Sequence, residues 1–240
     1  ASAGTQTLTI QASTLVTSLA DSGPGSLRQV VTDAPPGSTI TFSVSGTITL
    51  TSGGIGISKN LTINGPGAGA LTINGNGTDR IVATGGAGTT VNLSGLRFTN
   101  GSSNGFDGGA LYVGLGTIVN ISASQFDGNV AVGLPCCEKG GAIFSEGALT
   151  ITGSSFLGNT AGQMASAVAA WPTGTSLSIT GSCLVGNSGA GGYAVTSSVT
   201  TTISGNWWGD PGGPGAGGAN NSNPTDSAFS TTPISGVPGC

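Results

Sequence analysis

Three stretches of the chain read almost as one: Val119-Asn120-Ile121-Ser122-Ala123-Ser124-Gln125-Phe126-Asp127-Gly128-Asn129, Leu149-Thr150-Ile151-Thr152-Gly153-Ser154-Ser155-Phe156-Leu157-Gly158-Asn159, and Leu177-Ser178-Ile179-Thr180-Gly181-Ser182-Cys183-Leu184-Val185-Gly186-Asn187. Position 119 to 149 is 30 residues and 149 to 177 is 28, so the period is steady. Each stretch opens on an apolar–polar–apolar triplet and carries Phe126, Phe156 or Leu184 three residues before an Asn. Related triplets stand earlier, at Leu61-Thr62-Ile63, Leu71-Thr72-Ile73 and Val91-Asn92-Leu93. Between the Asn and the next triplet lies a small-residue strand, as in Gly108-Gly109-Ala110-Leu111-Tyr112 and Gly140-Gly141-Ala142-Ile143-Phe144. Three short alternating strands in each period make one coil of a β-solenoid. A helical repeat would show a 3.6-residue period and would not tolerate this density of Gly, Thr and Ser.

Composition agrees and narrows the function. The chain has 240 residues, 46 of them Gly, with 5 Lys+Arg, 9 Asp+Glu and a net charge of −4. Charged residues are 6%, against roughly a quarter in an ordinary domain, yet 36% is hydrophobic. Apolar residues at that level supply a core and exclude charge-driven disorder. The glycines follow no three-residue period, which excludes collagen. No basic cluster offers a footprint for nucleic acid. No apolar run approaches the roughly 20 residues of a spanning helix. The absence of His removes Ser-His-Asp and Cys-His chemistry and histidine metal sites. Cys136, Cys137, Cys183 and Cys240 lack paired CxxC spacing, so they read as disulfide candidates in an oxidising, extracytoplasmic compartment rather than as zinc ligands. Nothing calls for a metal or a cofactor. Ala1-Ser2-Ala3-Gly4 reads as a mature N-terminus from which an export signal has been removed.

Stacked coils share their stability with neighbours and need caps at both ends. Residues 26–34 make the best helix candidate, with Ser26 as N-cap, Leu27, Val30 and Val31 on one face, and Pro35-Pro36 as the stop. Trp207 and Trp208 are the candidates to close the far end. Asn129, Asn159 and Asn187 are expected to form an internal ladder, each amide bonding to the next coil. The Asn-Gly steps at Asn64, Asn74 and Asn100 are expected at corners needing positive φ. Residues 1–14 form an extension in which Thr7-Leu8-Thr9-Ile10-Gln11 alternates like a strand. The coils are expected over 15–209 and an irregular Pro/Gly/Asn-rich tail over 210–240.

Asp21-Ser22-Gly23-Pro24-Gly25-Ser26-Leu27-Arg28-Gln29, followed by Gly46-Thr47-Ile48-Thr49-Leu50, resembles the opening of secreted bacterial right-handed β-helix proteins, which often begin with a Cys-Ser-Leu-Arg-Glu-Ala-type segment. Gly140-Gly141-Ala142-Ile143-Phe144 and Ser154-Ser155-Phe156-Leu157-Gly158-Asn159 look like repeats of polymorphic outer-membrane proteins and related adhesins, and Asn206-Trp207-Trp208-Gly209 is similar to a tetrad that closes such helices. Together these matches cover roughly residues 15–213. The resemblance implies an all-β, right-handed, single-stranded parallel β-helix, secreted from a bacterium to the cell surface or beyond. It implies no activity, since this fold hosts lyases, hydrolases, adhesins and scaffolds.

The leading functional expectation is a non-enzymatic structural or adhesive protein. Its partners would be further copies of itself, in a filament or layer, or cell-surface and polysaccharide ligands. Low surface charge favours association, and the strand at 7–11 is suited to pairing with a neighbour's sheet edge. Cys136 and Cys137 lie on an apparent insertion at 131–139, Cys183 is placed at the Phe/Leu ladder position, and Cys240 is on the tail. Cys183–Cys240 within one chain, a Cys136–Cys137 ring and inter-subunit bonds all stay open. A polysaccharide lyase or hydrolase is the alternative. It would need carboxylates brought together by neighbouring coils, such as Asp107 with Asp127 or Glu138 with Glu146. A further alternative is ice binding along the outward column Thr62, Thr72, Asn92, Asn120, Thr150 and Ser178, which is chemically mixed, or carbohydrate binding on a Trp171 or Tyr112 platform.

Overall fold

The computed structural model describes residues 12–133, 138–171, 176–215, 222–223 and 228–240. The chain is all-β. Parallel sheets wind into a β-solenoid of about six turns, with one short helix. One sheet has eight strands, from Leu15–Val16 to Thr200–Ser204; a second has six, from Gly46–Thr49 to Cys183–Val185; a third has seven, from Ile55–Ile57 to Ser222–Asn223. A fourth short strand per coil, at Val130–Ala131, Thr160–Ala161 and Ser188–Gly189, forms a three-stranded sheet that the repeat did not announce.

Register turns the sequence repeat into ladders. On the eight-stranded sheet Ile40, Ile63, Leu93, Ile121, Ile151, Ile179 and Ile203 align rung by rung, all facing inward. On the six-stranded sheet Phe98, Phe126, Phe156 and Leu184 align. Their rings stack at 4.8 and 5.1 Å between centroids. Burial of these side chains, at roughly 25 cal/mol per Å² of apolar surface, is the main stabilising term, and it accrues only between neighbouring coils.

At the corner after each Phe or Leu the anticipated asparagine ladder is present. Asn129 Nδ2 donates to Asn159 Oδ1 at 3.0 Å, and Asn159 Nδ2 to Asn187 Oδ1 at 2.9 Å. The same amides donate to the carbonyls of Phe98 and Phe126, and Asn187 Nδ2 donates to that of Phe156. Their Oδ1 atoms accept backbone N–H groups of the preceding coil. A second ladder lies at the other corner. Ser154 Oγ accepts from Ser124 N, Ser182 Oγ from Ser154 N, and Asn206 Oδ1 from Ser182 N. Both ladders satisfy backbone groups that the turn leaves unpaired in the interior.

Several expectations need correction. Thr72 lies on the six-stranded sheet, paired with Thr47 and Arg97, so it is not in the column of Thr62. Asn64 and Asn74 end strands; among the expected corners only Asn100 has positive φ (52°), joined by Asn76 and Asn104. In the Gly-Gly segments the strands begin later, at Leu111 and Ile143. A Cβ on Gly109 would stand 2.2 Å from the Gly141 carbonyl oxygen, so these glycines let successive backbones touch.

Helix α1 spans Leu27–Asp33, and Ser26 Oγ accepts from Gln29 N at its start. Leu27, Val30 and Val31 join the core together with Val16, Ile40 and Ile48, closing the N-terminal end. At the other end Trp208 is fully buried in the same core. Trp207 is buried outside that cluster, in register with Cys183. Ser222–Asn223 adds a strand beside Val195, Phe229 packs on the core, and Gly205 N donates to the Ala228 carbonyl.

Candidate functional site

The regions with functional potential are the two ends and the three outer faces, since the interior is filled. The N-terminal end is clasped. Arg28 Nε and Nη2 donate to Asp21 Oδ1 at 3.2 and 2.7 Å, and its guanidinium also donates to the Gly53 and Gly54 carbonyls. Asp21 Oδ2 accepts from the amides and hydroxyls of Thr51 and Ser52. Partial burial pushes the Asp21 carboxyl up, but hydrogen bonds from Ser52, Arg28 and Thr51 outweigh it and hold the group well below the usual carboxylate range. The opening motif thus ties the helix to the first coil. Thr7, Leu8, Thr9, Ile10 and Gln11 lie outside the described residues, directly ahead of the first strand of the eight-stranded sheet.

At the C-terminal end Cys183 and Cys240 form a disulfide. Cys183 is not at the ladder position: it pairs with Ser155, while Leu184 pairs with Phe156. One residue of offset in a strand reverses the face, so the thiol points outward and fastens the tail. Gly239 lies against Gln125 and Leu157, placing the tail over the six-stranded sheet. Cys136 and Cys137 lie outside the described residues. The last strand of the eight-stranded sheet is Thr200-Thr201-Thr202-Ile203-Ser204. Among the described residues no strand pairs with its far side, and Thr200 and Thr202 are exposed.

The outward face of this sheet carries two aligned polar columns. One runs Thr39, Thr62, Asn92, Asn120, Thr150, Ser178 and Thr202; the other Asn64, Ser94, Ser122, Thr152, Thr180 and Ser204. The second column lies outside the apolar–polar–apolar triplets, which end one residue before it. Several of these groups bond to one another rather than face outward alone, as in Asn92 Nδ2 to Thr62 Oγ1 at 3.1 Å and Asn120 Nδ2 to Asn92 Oδ1 at 2.9 Å.

Among the described residues the carboxylates have separate partners. Asp127 is held by Arg97 through two bonds of 2.7 Å, whereas Asp107 accepts from Lys139 N. Hydrogen bonding to Asp127 raises the Arg97 pKa despite partial burial. Glu138 accepts from Gly133 N, and Glu146 accepts from the Tyr112 hydroxyl. Among the described residues no three His, Cys, Asp or Glu side chains gather to hold a metal ion, and no helix is long and apolar enough to cross a membrane.

No family model, curated protein or solved structure matches this chain. Its own geometry therefore carries the functional reading.

The seven-stranded sheet bears the most varied outer face. Gly56, Ala83, Tyr112, Phe144 and Ala169 align along it. Tyr112 stacks on Phe144 at 6.1 Å, and the Arg80 guanidinium lies 5.0 Å from the Tyr112 ring centre. Both ring faces are thereby covered, so Tyr112 is not an open platform. Burial and the bond to Glu146 push its hydroxyl up to about 12. Trp171 is 42% exposed, with its backbone N–H donating to the Ser145 carbonyl.

Proposed function

We propose that this chain is a non-enzymatic structural solenoid of the bacterial exterior that joins copies of itself end to end. The observation that supports the reading is the edge strand Thr200–Ser204. Natural sheets blunt an edge with Lys, Pro, a bulge or brevity, because an open ladder recruits other chains. This edge has five residues with neither charge nor proline; among the described residues it ends the longest sheet, and the tail bonds only just past it, where Gly205 N donates to the Ala228 carbonyl. The alternating segment 7–11 precedes the strand that begins the same sheet. Donated to a second copy, it would continue that copy's ladder beyond Thr200–Ser204 by β-strand addition. Such a contact is heterologous and propagates into a filament.

Sedimentation velocity over a hundredfold range of concentration, with electron microscopy of the same samples, tests the reading. The intact chain is expected to form growing rods. Thr202→Lys, and separately removal of residues 1–11, should leave single particles with unchanged thermal melting. A sharp monomer at every concentration, or rods that survive both changes, overturns it.

A further inference from the structure

We propose that the outer groove beside Arg80 binds a carboxylate-bearing sugar unit of an acidic polysaccharide. The three arginines of this chain are not used alike. Arg28 and Arg97 each grip an aspartate at 2.7 Å. Arg80 grips none. Its Nε donates to the Gly108 carbonyl at 3.1 Å and its Nη2 to the Asp107 carbonyl at 2.6 Å. Of the five N–H donors of a guanidinium, two are used in this way; two on Nη1 and one on Nη2 remain, and the Nη1–Nη2 edge is a fork suited to a carboxylate. The nearest carboxylates are otherwise engaged. Asp79 accepts from the Arg80 and Gly54 amides, and Asp107 from the Lys139 amide. Packing against Tyr112 and the loop at 107–108 withdraws Arg80 from water, and that burial lowers its pKa while Asp79, Tyr112 and Asp107 oppose the change. A half-buried cation bonded only to neutral oxygens favours an anionic ligand.

The space for such a ligand lies beside it. Gly56, Ile57, Ser58, Ala83, Gly85 and Tyr112 are among the residues that bound, with Arg80, an open groove of about 470 Å³, within the size range of small-ligand sites. The floor is made by the column Gly56–Ala83, whose side chains are minimal, while the next member of the column, Tyr112, rises as a wall. A Cβ on Gly56 would meet nothing within 4 Å, so the absence of a side chain there is not forced by packing. A flat ring can rest on Gly56 and Ala83 with its carboxylate on Arg80 and hydroxyls toward exposed Ser58. Because the groove is open, neighbouring units of a polymer extend past it. The proposal is independent of end-to-end assembly, since the groove lies on a side face.

Titration of the full chain with tri-galacturonate at low salt, followed calorimetrically, tests it, with maltotriose as the neutral arm and a short polyglutamate as the non-sugar arm. Saturable binding of tri-galacturonate is expected, at least tenfold tighter than either control and weakened by added salt. Arg80→Gln should weaken it at least tenfold. Gly56→Leu, whose Cβ would meet nothing within 4 Å, fills the floor and should do the same with unchanged melting. No saturable binding at millimolar ligand, equal binding of maltotriose, tighter binding of polyglutamate, or Gly56→Leu binding as well as the original each overturns the proposal.

Discussion

The two ends of the solenoid solve the same problem with different chemistry. At the N-terminal end a seven-residue helix covers the core, and one ion pair with its surrounding hydrogen bonds holds the helix down. At the C-terminal end a single indole, Trp208, fills the last cross-section, and a disulfide straps the tail across an outer face. The first closure depends on charge and local backbone bonds; the second depends on buried volume and a covalent link. Because neighbouring coils share their core, damage at either end should spread inward coil by coil, and the two ends should fail under different conditions.

The largest effect is expected from Trp208→Ala. Removing a fully buried indole costs about 3–5 kcal/mol in a core, and here it also opens the last coil to water. Hydrogen exchange should show lost protection first in Thr200–Ser204 and Ser176–Thr180, while Ser38–Phe42 stays protected. Uniform loss along all coils would mean that the solenoid unfolds as one cooperative unit. Reduction of Cys183–Cys240 comes next. The bond closes a separation of 57 residues, for which typical stabilisation is about 2–4 kcal/mol. Melting with and without reductant measures it, and Cys240→Ser should reproduce the reduced value.

Acid should act on the opposite end. An unfolded aspartate titrates near pH 3.9, and the folded Asp21 carboxyl is held well below that value by Ser52, Arg28 and Thr51 despite the opposing effect of partial burial. Its contribution is therefore complete above about pH 4 and declines as pH falls toward the folded value. Denaturant melts between pH 6 and pH 2 should show the decline, and Asp21→Asn should flatten that part of the profile. An unchanged profile would show that the clasp contributes nothing to the cap.

The legible parts of this molecule are those where one residue type has one available role. A Ser followed by an apolar face and two prolines specified α1, and asparagines at fixed distance from Phe126, Phe156 and Leu184 specified the amide ladder. The serine ladder is masked in the sequence because Ser is abundant throughout; its signal is the recurrence of Ser124, Ser154 and Ser182 two residues ahead of the same Phe or Leu positions. Leu61-Thr62-Ile63 and Leu71-Thr72-Ile73 look like two turns of one ladder but belong to two sheets of one coil. Periodicity gives the inward alternation of a strand and not the sheet that holds it. In the sequence Arg80 is one isolated cation among 5 Lys+Arg. Its lack of an aspartate becomes informative once coils bring Arg97 to Asp127 across 30 positions of sequence and leave Arg80 on carbonyls.

The smallest expected effect isolates the local part of the N-terminal closure. Ser26 is fully buried, its hydroxyl donating to the Gly23 carbonyl at 2.8 Å while accepting from Gln29 N at 3.2 Å. Ser26→Ala removes both bonds and leaves an orphaned N–H at the first turn, a change worth about 1 kcal/mol. Ser26→Asn restores an acceptor but adds volume at a site with no exposure, so it should not recover the loss; Ser26→Gly should recover part of it. Because the cap acts on the helix and not on the carboxylate, Ser26→Ala should lower stability equally at pH 6 and pH 3. If its cost instead vanishes in acid, the hydroxyl serves the Asp21 clasp, and the helix is held by charge alone.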